Sequence, residues 1–103
     1  MKRMALSAFL ALLVTTEAHA SVECTGSLGP TEILMCSNPL LLQLAQELSA
    51  LEAKLDKEPS STETGTLKKK REGWLRLKNG CITQLCLRSM HEERIEAIKK
   101  VIK

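Results

Sequence analysis

Residues 37–55 read SNPLLLQLAQELSALEAKL, and this stretch decides how the rest of the chain must fold. Leu41, Leu44, Leu48, Leu51 and Leu55 recur at spacings that alternate between 3 and 4. An α-helix turns such a repeat into one apolar stripe. Ser37 and Asn38 can cap its start, and Pro39 suits the first turn, where a missing N–H costs nothing. The spacing predicts a helix over 39–57, roughly 28 Å long at about 1.5 Å per residue. Its leucine stripe cannot stay in water, so the segments that follow must cover it.

The first 20 of the 103 residues have the pattern of a secretory leader. Lys2 and Arg3 make a charged start, an apolar run follows over 4–14, and Ala18-His19-Ala20 supplies small residues at a cleavage position. That run is too short to cross about 30 Å of hydrocarbon. Ser21-Val22-Glu23 directly precede Cys24 in place of the small apolar residues of a lipoprotein signal, so lipidation is not expected there. The expected domains are therefore a signal peptide over 1–20 and a single helical domain over 21–103. Removing Lys2, Arg3 and Glu17 with the leader leaves 13 basic and 11 acidic residues, a net charge of +2. Such a balance does not point to nucleic acid.

A chain of that length is marginal on its core alone. Cys24, Cys36, Cys81 and Cys86 all lie beyond the leader, and an even count in a small exported chain reads as two disulfides. Trp74 is the only aromatic residue beyond the leader, so the core must be leucine and isoleucine, which suits helices. Thr31 can cap one or two turns up to Cys36. Residues 58–66 hold Pro59, Gly65 and several Ser and Thr, and read as a reversing loop. A second helix is expected over 67–79, with Leu67, Lys70, Trp74 and Leu77 sharing a face and Trp74 its main buried group. Gly73 weakens that helix, and Asn79-Gly80 stops it. A third helix follows over 87–102, with Leu87, Met90, Ile95, Ile98 and Ile102 on its apolar side.

The fold class is thus all-α, a small disulfide-stapled helical hairpin plus a third helix. Antiparallel return brings Cys36 near Cys81, so all four cysteines should gather at one end. Three pairings are possible. Cys24–Cys36 with Cys81–Cys86 would tie each loose segment to the helix beside it, and Cys36–Cys81 is the competitor.

Catalytic and metal motifs are lacking. His91 is the one histidine beyond the leader, and it is read as a surface residue on the polar side of the last helix. It has neither the second histidine of a zinc-protease helix nor a visible serine partner. The cysteines lack paired zinc-ribbon spacing. The glutamates are read as solvated helix faces, and Lys68-Lys69-Lys70-Arg71 as a solvated first turn or a contact for an anionic partner. No catalytic residue, cofactor or metal is assigned.

Cys24, Glu32, Cys36, Pro39, Leu41, Leu44, Leu48, Trp74-Leu75, Lys78-Asn79, Cys81, Cys86-Leu87 and Arg94-Ile95 together resemble the LprI-type lysozyme-inhibitor N-terminal domain family. The resemblance runs over nearly all of residues 21–103. It departs from the pattern at Ala45, Glu52, Arg71 and Lys78, where aspartate, tyrosine, glutamine and arginine are usual. It implies a small exported helical protein, with Trp74, Leu41, Leu44, Leu48 and Arg94 as structural residues. The expected function is non-catalytic protein binding in the periplasm or outside the cell. The expected partner is a lysozyme or another envelope protein, with no nucleic acid and no stable membrane insertion after cleavage. The alternative is a structural or adaptor module of the cell envelope. An acidic concave or protruding patch would favour inhibition of a basic enzyme, and an exposed apolar patch would favour the adaptor.

Export leaves Ser21 as the first residue of the exported form. Intact-mass measurement checks this, and a mass that still contains residues 1–20 refutes it.

Overall fold

The computed structural model describes residues 22–102, so the leader over 1–20 and its cleavage point lie outside the described residues. Four helices follow one another: α1 (Pro30–Cys36), α2 (Pro39–Lys57), α3 (Thr62–Asn79) and α4 (Gln84–Val101). The fold is all-α.

Helix α2 has the bounds its leucine spacing implies. The Asn38 side chain caps it by accepting from the Leu40 N–H at 2.9 Å, and Pro39 occupies the first turn. Ser37 turns back instead, its hydroxyl donating to the Leu34 carbonyl at 2.9 Å. Leu41, Leu48, Leu51 and Leu55 are buried, while Leu44 is half-buried and packs against both parts of the core.

Three expected boundaries shift, each through a cap. Helix α1 begins at Pro30 behind Gly29, so Thr31 is not its cap. The Thr31 hydroxyl instead reaches across the fold to the Asn79 carbonyl at 3.3 Å. Helix α3 starts at Thr62, within the expected loop, because Ser61 and Thr64 bond reciprocally across its first turn. Helix α4 starts at Gln84 because the Thr83 hydroxyl accepts from the Cys86 N–H at 3.1 Å. At the far end of α3, Gly80 ends the helix with φ of −89°, so the stop uses no left-handed glycine.

The helices run up, down and up. Asn38 and Ser37 both bond Gln84, which puts the starts of α2 and α4 side by side. Lys68 donates to the Glu58 carbonyl at 3.2 Å, which puts the start of α3 beside the end of α2. The most extensive packing joins α2 to α4, with α3 lying against both. One part of the core holds Met35, Leu41, Ala45, Cys81 and Leu87; the other holds Leu48, Leu51, Leu55, Ile95 and Ile98. Each of the Met, Leu and Ile side chains among them contributes about 1.5 to 3 kcal/mol on leaving water.

Helix α3 is the weakly anchored one. Among its residues only Thr64 is buried. Trp74 is half-buried rather than the core of a face, Lys70 is exposed, and Leu77 points into solvent. The reason is that α2 and α4 satisfy each other's stripes, leaving α3 a groove to cover rather than a core to share.

The cysteines pair as Cys24–Cys36 and Cys81–Cys86, with Cα separations of 5.7 and 5.6 Å. The second pairing is possible because the chain breaks helix between Asn79 and Gln84. The Cys36–Cys81 alternative is excluded. Gly26, inside the first bridged loop, has φ of +79° and needs its missing Cβ. Disulfides of this kind place the protein in an oxidising environment outside the cytoplasm. No helix among the described residues is long and apolar enough to cross a membrane.

Gly73 has no such need. A Cβ there would meet only the Arg76 Nη2 atom, at 3.9 Å. Gly73→Ala is therefore expected to stabilise the protein by about 0.5 to 1 kcal/mol through the helix preference of alanine. Urea unfolding measures this; a lower midpoint would mean that packing requires the glycine.

Candidate functional site

Two features stand out once the helices are in place: a buried charge junction at mid-height and an apolar end around the second disulfide.

The junction is centred on Glu52. Its position falls on the leucine stripe, three residues before Leu55, so α2 carries its carboxylate inward. Glu52 is 6% exposed and Arg94 of α4 is 5% exposed. Arg94 grips the carboxylate with two bonds, Nε to Oε2 at 2.8 Å and Nη2 to Oε1 at 3.1 Å. The same Nη2 donates to the Leu67 carbonyl of α3 at 3.0 Å. Arg71 of α3 donates from Nε to Glu52 Oε1 at 2.9 Å and from Nη2 to Asp56 at 2.8 Å. One carboxylate therefore holds all three long helices. Forked arginine–carboxylate pairs are strong and directional. They do not by themselves make a fold stable, because burying charge is costly, but removing one partner leaves the other stranded.

Two expectations change here. Glu52 is not on a solvated face, and Arg71 is not a loose member of a basic run. The run also sits beyond the first turn, since α3 starts at Thr62. A third correction concerns His91, which is buried at 3% exposure and not on the polar side of its helix. The signal was present in the spacing. Leu87, His91, Arg94 and Ile98 follow one another at 4, 3 and 4, so the two polar residues continue the apolar stripe of α4.

The apolar end is built by the second disulfide. Residues 81–86 read CITQLC, and the bridge closes them into a tight loop ahead of α4. The loop is fixed from several sides. Cys81 is buried, and its sulfur lies 3.7 Å from that of Met90. Thr83 caps α4, and Gln84 bonds Ser37 at 2.9 Å and Asn38 at 3.2 Å. On this rigid frame Ile82 is 86% exposed and Leu85 72% exposed. Leu77 at the end of α3, Ile33 on α1 and Leu40 at the start of α2 are exposed at the same end. Among the described residues six large hydrophobic side chains are exposed, and five of them belong to this end. The spacing of Cys81 and Cys86 gives no sign of this surface, because it does not say what covers Ile82 and Leu85.

Of the residues singled out from sequence, the four cysteines form the two staples, both at this end. Leu41 and Leu48 are core, Leu44 joins the core from its margin, Trp74 lies half-buried between α3 and α4, and Arg94 belongs to the junction. Among the described residues no group of three or more His, Cys, Asp or Glu side chains is placed to hold a metal ion. No protein-family model, no curated protein and no solved structure matches this chain.

Glu52→Ala strands a buried Arg94 and loosens Arg71, so it is expected to cost about 3 to 5 kcal/mol. The double variant Glu52→Leu with Arg94→Met removes both charges and is expected to cost much less. Chemical denaturation of the two variants compares them; equal losses would show that the junction is not a coupled pair.

Proposed function

We propose that this chain is a non-catalytic protein-binding module exported to the periplasm or the cell exterior, and that its binding surface is the apolar end around the Cys81–Cys86 bridge. The observation that carries this reading is the exposure of Ile82 and Leu85 on a loop held by a disulfide, a cap and two glutamine bonds. Large apolar side chains held rigidly in water cost free energy unless a partner covers them. A preorganised loop also loses little conformational freedom on binding, which favours affinity. No acidic side chain lies within 81–86, so the loop offers no carboxylate to the cleft of a basic enzyme. The surface therefore supports an envelope adaptor with an unrelated protein partner. The resemblance to LprI-type lysozyme inhibitors stands as the second reading, in which the same end would cover the enzyme's cleft.

Capture from envelope extract with the oxidised protein tests this. Ile82→Glu with Leu85→Glu leaves the core untouched, so the fold should persist while partner capture falls at least about tenfold, as for loss of a binding hot spot. Undiminished capture by the double variant refutes the surface. A lysozyme activity assay run beside it separates the two readings, since inhibition would favour the second.

A further inference from the structure

The binding surface and the charge junction leave one buried titratable group without a role, His91. Its Nδ1–H donates to the Leu87 carbonyl at 2.7 Å, because a carbonyl oxygen can only accept. Its ring meets Trp74 of α3 edge to face, with centroids 5.2 Å apart and planes at 83°. Trp74 in turn donates from Nε1 to the carbonyl of Met90, the residue before His91, at 3.1 Å. Lys78 Nζ lies 5.9 Å from the centre of the same indole. One aromatic side chain thus ties the second half of α3 to α4, with an ammonium and an imidazole both beside it.

We propose that His91 is a proton-operated release for this joint: taking up a proton leaves a buried cation, opposed by Lys78, against the face of α4 that Trp74 covers, and its need for water frees the indole from α4. The joint is the natural place to yield, since Trp74 is only half-buried and no residue of α3 beyond Thr64 is buried.

The surrounding charges leave the new cation without a partner. On α4, Arg88 is paired with Glu92 at 3.1 Å, and Arg94 is committed to Glu52. From α2, Glu52 is already held by two arginines. From α1, Glu32 favours the charge on Lys78, whose pKa is nevertheless lowered by burial. From α3, Lys78 itself opposes a charge on His91.

Burial, with Lys78 adding to it and the Leu87 bond opposing, holds His91 below its ordinary value of 6.5. An unfolded chain takes up the proton near pH 6.5, while the folded protein resists it until lower pH. The stabilisation from neutral His91 is therefore complete above pH 6.5 and is lost as pH falls from there towards the folded value.

The test follows Trp74 emission and the Tm of the oxidised protein from pH 7.5 to 5.5, a range in which carboxylates stay ionised. The expected result is a red shift of emission. Tm should fall by roughly 5 to 11 °C for each pKa unit of depression that the range spans, as for a domain of this size. His91→Gln, which keeps a donor but cannot titrate, is expected to show neither change. A wild type insensitive to this range, or an equal response in His91→Gln, overturns the proposal. Should that variant fail to fold, the His91 ring protons of the wild type decide by NMR: titration below 6.5 supports the release, and titration at or above 6.5 overturns it.

Discussion

The arrangement of the three long helices depends on one carboxylate. Glu52 sits among leucines, and a bare charge there could not be tolerated. Its oxygens must find donors, and among the described residues Arg94 and Arg71 supply them. A slip of α4 by one turn along α2 would move Arg94 by about 5.4 Å and strand both charges. Leucine stripes are poor at resisting such a slip, because one leucine contact resembles the next. The ion pair thus supplies register, while the burial of Leu41, Leu48, Leu55, Leu87, Ile95 and Ile98 supplies most of the driving force.

The disulfide end solves a different problem. Few residues are available there to bury, and several apolar side chains face water. The cross-links compensate by restricting the unfolded chain, with the 12-residue separation of Cys24 and Cys36 the larger of the two loops. Polar side chains finish the construction. Thr31 reaches Asn79, and Gln84 joins Ser37 and Asn38. These links let α1, α2, the end of α3 and the start of α4 meet as one rigid frame. Exposed Ile82 and Leu85 are tolerable on such a frame, since local rigidity keeps them from collapsing onto the core.

Helix α3 is held differently from its neighbours. Arg71, Lys68 and Trp74 attach it through polar or mixed contacts, and its only buried side chain is Thr64. Elements with few buried apolar contacts are the ones that open first. The His91–Trp74 contact and Lys78 lie at the joint of this least buried helix with α4.

Helix α2 was legible in the sequence at both ends, because a five-leucine stripe with Asn38 and Pro39 at its head admits one reading. The all-α class and the gathering of cysteines at one end were legible too, but an antiparallel return brings all four sulfurs together, so the choice of Cys24–Cys36 with Cys81–Cys86 over Cys36–Cys81 came from the folded geometry. Helix starts at Thr62 and Gln84 were less legible, because Ser61, Thr64 and Thr83 read equally well as loop residues until their caps are seen. Which polar residues go inside depends on how the helices pack. Glu52, His91 and Arg94 lie at stripe positions, yet a polar residue there is buried only if a partner from another helix meets it, and sequence spacing carries no information about that partner. The same holds for Ile82 and Leu85: their apolar character is local, but whether anything covers them depends on where α1, α2 and α3 end in space.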